Sequence, residues 1–438
     1  MKRFFLTFAV CNLIWIVAPS ARPQAPAANP APSSSIASIK ITGSNKFPAD
    51  QVAAASGLKA GDIVTSAQIQ EATNRLSALG IFSAVKFRYT TKGNAINLEF
   101  QVEEAPSYPI LFDNFPWFTN SEIGDAIRSQ VGLFTGEAPD GGILIDEIAA
   151  VLENMLAAKQ IKGTVEHQLM TTASGDGMQM QFHLDGVPLR IQSLQFSDAV
   201  AANSDRLKDR IPDLKGQPYS LFAIEVFGNE HVRPLYASKG FLRAKIGPPV
   251  AHLIPDANDP KQTAVDLSIP IDPGPVYSWK GVSWQGNVAV QSPGLLGAAD
   301  LKPGDPADGM KIEILWQKVE TEYRQLGYLD MKLTAEPQFD DAAHQISYQV
   351  SVSEGPQYRM GQMVITGLSV DAEKRLRQAW QIAPGQIFDD GYYETHVRML
   401  SKPSRDIFGD LPVHYNEFGH LLRPDTSHHI VDVLLDFK

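Results

Sequence analysis

Apolar positions recur along the chain with two periods in a fixed order. Between Thr65 and Gly80 the residues Ile69, Ala72, Leu76 and Leu79 fall at helical spacing. Thr65 or Ser66 stands where a helix cap is expected, and Gly80 where a helix ends. The period then switches to two. Val85, Phe87 and Tyr89 alternate with Lys86 and Arg88, which predicts a half-exposed strand. Gly93-Asn94 turns the chain, and Ile96, Leu98, Phe100 and Val102 predict the returning strand of a hairpin.

This order repeats. The phrase ITG after an extended segment occurs at Ile41–Gly43 and again at Ile365–Gly367. Glycines that join a short helix to a longer one stand at 61, 136, 216, 304 and 385, at intervals of 75, 80, 88 and 81 residues. Each is followed by a helical pattern and a hairpin pattern, so a unit reads strand, helix, helix, strand, strand. At 438 residues the chain has room for several cores.

The phrase VSEGPQYRMGQMVITG (Val352–Gly367) and its weaker echoes IDPGPVYSWKGVSWQGN (Ile271–Asn287) and VEEAPSYPILFDN (Val102–Asn114) fall in phase with the helix-ending phrases LSALGIFSAV, YASKGFLRAKI and YRQLGYLDMKL. Together they resemble the polypeptide-transport-associated (POTRA) domains of outer-membrane barrel-assembly and transport proteins. The resemblance covers residues 36 to 438. It implies an α+β fold built as a tandem repeat of five β-α-α-β-β units, each a three-stranded mixed sheet with two helices on one face. The expected boundaries are 36–104, 105–187, 188–272, 273–354 and 355–438. The second unit has no clean Thr-Gly turn, and the fifth has a helix end broken at Lys402-Pro403. In barrel-assembly proteins a transmembrane barrel follows the array. The expectation here is an array without a barrel, or one whose barrel a separate outer-membrane protein supplies.

The first 25 residues read as an export signal: Lys2 and Arg3, then the apolar run Phe4 to Ala18, then small residues. The apolar run is short for a membrane span. A Pro/Ala/Ser-rich linker follows, at 26–35. Cleavage near Ala25 would remove the single cysteine, Cys11, and take the formal charge from −11 to −14. That excludes disulfide and thiol chemistry in the mature chain and argues against nucleic acid as a partner. The implied location is the periplasm of a Gram-negative-type bacterium.

Catalytic motifs are missing: the sequence contains no GxxxxGK[ST], HExxH or GxSxG. His428-His429 are neighbours, but adjacent strand residues point to opposite faces, so a hairpin end is the reading. Asp340-Asp341 and Asp389-Asp390 read as a turn and a helix start, where Asp satisfies free N–H groups. The segment FDNFPWF offers Phe115, Trp117 and Phe118 either as an exposed aromatic anchor or as packing within the second unit; packing is favoured, because small cores need large residues. No enzyme, cofactor, metal or small-molecule substrate is expected.

A three-stranded sheet has open edges. In the family resembled, the second strand is the exposed one and can take up an extended chain as an added strand. The candidate edges are Val85, Lys86, Phe87, Arg88 and Tyr89 in the first unit, residues 164–169 in the second, 328–334 in the fourth, and 412–415, with Val413, His414 and Tyr415, in the fifth. The expected partners are unfolded outer-membrane or secreted polypeptides. The alternative is a structural spacer that links envelope complexes.

Overall fold

The computed structural model describes residues 33–255, 263–291 and 300–438. The expected signal with Cys11, and most of the linker after it, lie outside the described residues. So does part of the Pro/Asp-rich hairpin loop of the third repeat.

The chain separates into two compact units. The first runs to Ser107 and includes Arg128–Glu147; the second takes in Tyr108–Ile127 and Ile148–Lys438. In the first, the strand Ser34–Thr42 lies parallel to Ala95–Glu104, which pairs antiparallel with Phe82–Lys92. The returning strand is therefore central and the hairpin's first strand is an edge. Helix Ser66–Ala78 begins with a full capping box between Thr65 and Gln68. Its stripe of Ile69, Ala72 and Leu76, with Leu79 beyond, is buried, as are Ile96, Leu98, Phe100 and Val102 of the central strand. The two periods read from sequence thus converge on one core.

Among the described residues, the second unit holds a two-stranded sheet, Lys245–Ile246 with Ile271–Asp272, and four sheets with the same order of opening, central and outer strand. They are Tyr108–Phe112, Met178–Asp185 and Thr164–Thr171; Arg190–Phe196, Thr263–Ile269 and Val250–Pro255; Ser278–Gln285, Gln345–Ser353 and Lys332–Asp340; and Arg359–Thr366, Ile430–Phe437 and Phe418–Asp425. In each, the opening strand is parallel and the outer strand antiparallel to the centre. Separate cores lie over the third, fourth and fifth sheets. Trp279 and Trp316 are buried in the fourth core, and Trp284 meets Trp316 edge-on at 6.0 Å.

Backbone chemistry explains the repeated glycines. The loop glycine donates its N–H to the opening strand at Ile36, Ile191, Trp279 and Met360, at 2.7–2.8 Å. The opening-strand residue returns a bond to the loop residue next to the glycine, at 2.7–3.0 Å. That reciprocal pair turns the loop back on the strand and needs a positive φ at the glycine. The ITG glycine has a second constraint. A Cβ on Gly43, Gly286 or Gly367 would sit 1.7–2.2 Å from a carbonyl oxygen of the same sheet's central strand. In the second repeat, which lacks this glycine, the Asn114 side chain bonds both N–H and C=O of Leu184 instead.

Two predicted helices differ. The third repeat's first helix is three single turns, Ala199–Ala202, Asp205–Lys208 and Ile211–Leu214. Its second helix is interrupted by a π-helical stretch, Gly228–Val232, before Pro234. Among the described residues, no helix is long and apolar enough to cross a membrane.

Candidate polypeptide-binding edges

Val85, Lys86, Phe87, Arg88 and Tyr89 lie on the outer strand Phe82–Lys92, eleven residues long and without proline. Val85 and Phe87 are half-buried, whereas Lys86, Arg88 and Tyr89 are exposed. Arg88 folds inward across the sheet and donates two bonds to Glu99, each 3.0 Å. Those bonds hold the Glu99 carboxyl below its ordinary range. The pair occupies the sheet face and leaves the far edge of the backbone open. The expected edge in the second repeat, residues 164–169, falls on the outer strand Thr164–Thr171.

The fourth-repeat edge begins later than expected. Residues 328–331 form a turn, and the outer strand is Lys332–Asp340, with Pro337 inside it. Proline removes a donor and is tolerated at an edge.

The fifth-repeat edge is a correction. Val413, His414 and Tyr415 belong to no strand. Tyr415 turns inward, donates its hydroxyl to Leu400 O at 2.7 Å and meets the Phe437 ring at 4.9 Å. The outer strand is Phe418–Asp425, paired residue by residue with Ile430–Phe437. Gly419 and Pro424 hid it, because both lower strand propensity. On its solvent face Leu421 stands opposite Leu434, which stands opposite Val364. Leu421 and Val364 are exposed, so an apolar row crosses this sheet. The corresponding rows of the first sheet are polar, with Asn97, Glu99 and Gln101 at the centre.

The anchor reading of FDNFPWF is also corrected. Phe115 is buried and meets Phe112 edge-on at 6.4 Å. Trp117 is half-buried against the third repeat's core. Phe118 is half-buried with the Lys159 ammonium 5.1 Å above its ring. These rings pack inside the array and do not form an exposed anchor.

His428 and His429 sit in the hairpin turn, and His428 Nδ1 lies 2.8 Å from Asp425 Oδ2. Among the described residues no group of three metal-ligating side chains converges. Asp340 and Asp389 accept backbone N–H groups as expected. Their neighbours do something the sequence did not signal. Asp341 pairs with Arg243 at 2.9 Å and accepts the Tyr277 hydroxyl at 2.6 Å, and Asp390 pairs with Arg324 at 2.7 Å. Each ion pair ties one repeat to the next. Arg243 and its partners lie far apart in sequence, so no local pattern marks them.

The repeated sheets, each with an opening, a central and an outer strand in the same order and the hairpin's first strand outermost, define a tandem α+β array. The profile of the POTRA family, described as surface antigen variable number repeat, matches residues 34–105 and 277–355. The chain thus carries POTRA repeats over these two stretches. It is 22% identical over 207 residues to a Treponema pallidum protein named "Putative outer membrane protein assembly factor", covering 47% of this chain and 24% of that one. It is 21% identical over 173 residues to the outer membrane protein assembly factor BamA of Buchnera aphidicola, covering 40% of this chain and 27% of that one. The chain thus spans about a quarter of the length of these curated relatives. The crystal structure of Haemophilus influenzae BamA POTRA3-5 superposes with a TM-score of 0.42 at 19% identity, over 57% of this chain and 96% of that one.

Proposed function

We propose that the chain is a non-enzymatic periplasmic array of five POTRA-like units that takes part in outer-membrane protein assembly by binding extended polypeptides at its outer strands. The division at 36–104, 105–187, 188–272, 273–354 and 355–438 is part of this reading. The observation that carries it is the outer strand Phe82–Lys92: eleven residues, free of proline, with an unpaired edge. An incoming strand satisfies that edge through backbone bonds and so demands little of the client's sequence. The outer strand Thr164–Thr171 is the second such edge, whereas Pro337 and Pro424 restrict the fourth and fifth. Names of the relatives support an assembly role, and unfolded outer-membrane polypeptides are the clients this reading expects.

The second reading, a spacer between envelope complexes, draws on the ion pairs Arg243–Asp341 and Arg324–Asp390, which favour a stiff succession of repeats. A photo-crosslinker placed at exposed Tyr89, in the protein expressed in its own envelope, separates the two. Crosslinks to many unfolded barrel proteins are expected. Crosslinks to a single folded envelope protein would sink the client reading and leave the spacer.

A further inference from the structure

The third repeat is anchored on the second through Asp113. This buried carboxylate accepts the Ser220 hydroxyl at 2.9 Å and the Phe222 N–H at 2.8 Å, while the Leu221 N–H bonds the Asp113 carbonyl. The helix that starts there, Leu221–Phe227, runs beside a cleft of about 470 Å³. Its walls are apolar at Ile224, Ile246 and Ile269 and polar at Gln179, Glu225 and Arg233.

Gln179 is the unusual member of the cleft, and Glu225 and Arg233 are exposed charges at its rim. Gln179 is 8% exposed, and its Nε2 has no hydrogen-bond partner. A buried amide without an acceptor is costly and in native structures usually has a reason. The Glu225 carboxylate has no ion pair among the described residues, and neither does the Arg233 guanidinium, which reaches only Asn229 Oδ1 at 3.3 Å. The helix carrying both is interrupted between them by the π-helical stretch Gly228–Val232, a distortion that recurs at binding sites. Glu225 and Arg233 are eight positions apart, a backbone separation of at most roughly 12 Å at the α-helical rise. That is roughly the reach of four extended residues. The volume is that of a small-ligand site.

We propose that this cleft binds a short free peptide of about four residues. Its ammonium pairs with Glu225, its carboxylate with Arg233, a backbone carbonyl accepts from Gln179 Nε2 once that amide turns outward, and an apolar side chain rests on Ile246. The site is distinct from the sheet edges. It reads chain ends and one side chain, and it needs no strand addition, so it stands or falls apart from the edge reading. Partial loss of water around Glu225, with the Asp113 charge as the second cause, raises its carboxyl above the usual range, and a cationic partner would relieve that.

Calorimetric titration of the full chain tests it with two probes: a free tetrapeptide of alanine with one central leucine, and the same peptide acetylated and amidated. The free peptide is expected to bind, and the blocked one about tenfold more weakly. Glu225→Gln should weaken the free peptide to a similar degree. Gln179→Met should weaken it too, while the urea midpoint stays level or rises, because an unsatisfied buried amide is removed. No binding of the free peptide, or equal binding of the free and blocked forms, would overturn the proposal. So would a Gln179→Met protein with a lower midpoint and unchanged binding.

Discussion

Arg324 Nε stands 2.7 Å from Asp390 Oδ2, and this pair joins the helix of the fourth repeat to the second helix of the fifth. Asp390 is buried, and its other oxygen, Oδ1, has no partner. The arginine is the more exposed member, so solvent screens part of the attraction. Arg324→Ala leaves a buried carboxylate uncompensated and should cost about 2 kcal/mol, below the range for a fully buried pair. Asp390→Asn, which removes the charge and keeps the shape, should cost less. Urea denaturation of the three proteins checks the order. Equal midpoints for wild type and Arg324→Ala would show that the pair contributes nothing.

Two glycines with nearly the same φ should differ in their tolerance of alanine. Gly385 has φ +83 and open space where a Cβ would go. Gly385→Ala therefore meets only the backbone penalty of the left-handed region, about 1 kcal/mol. Gly367 has φ +86, and its Cβ would lie 1.7 Å from Phe437 O. Gly367→Ala adds a backbone collision and should cost about 3 kcal/mol or prevent the fifth repeat from folding. Hydrogen exchange of the Ile430–Phe437 amides reports the difference directly. Similar protection in both variants would refute the collision argument.

The repeat was legible because its determinants are local. A capping box, a stripe at Ile69, Ala72 and Leu76, and a glycine with positive φ each sit within one or two turns of chain. The fifth outer strand was not legible. FGHLLRPD places Gly419 and Pro424 inside a strand, whereas LPVHYN has better strand composition and forms none. What decides is pairing: Phe418–Asp425 fits the register of Ile430–Phe437, and Tyr415 is drawn away by the Leu400 carbonyl. The bonds from Asp341 and Asp390 to the preceding repeat were hidden for the same reason. A caps-only reading of paired aspartates is correct for the residue whose donor is local and silent about its neighbour.

His396 should make the fifth repeat sensitive to mild acid. Its ring lies against Tyr392 at 4.2 Å and Trp380 at 5.6 Å, and desolvation lowers its pKa below the ordinary 6.5. The unfolded chain then binds a proton at a pH where the folded one does not. Stability is full above about pH 6.5 and declines as pH falls through the lower folded value. His396→Phe should flatten this part of the stability profile. A profile that keeps its slope between pH 6.5 and 5 in the variant would assign the effect elsewhere.

Tyr415 separates a structural role from a binding one. Its hydroxyl donates to Leu400 O, and its ring packs on Phe437, so both halves of the side chain hold the segment before the outer strand. Tyr415→Phe removes one part-buried hydrogen bond and should cost about 1 kcal/mol. Tyr415→Ala also loses the ring and should cost about 3 kcal/mol. A crosslinker at Leu421, on the outer strand itself, should capture extended peptide added to the fifth sheet, whereas one at His414 should capture less. If His414 captures peptide more efficiently than Leu421 in the folded protein, the added strand lies along residues 412–415 after all, and the edge assignment to Phe418–Asp425 fails.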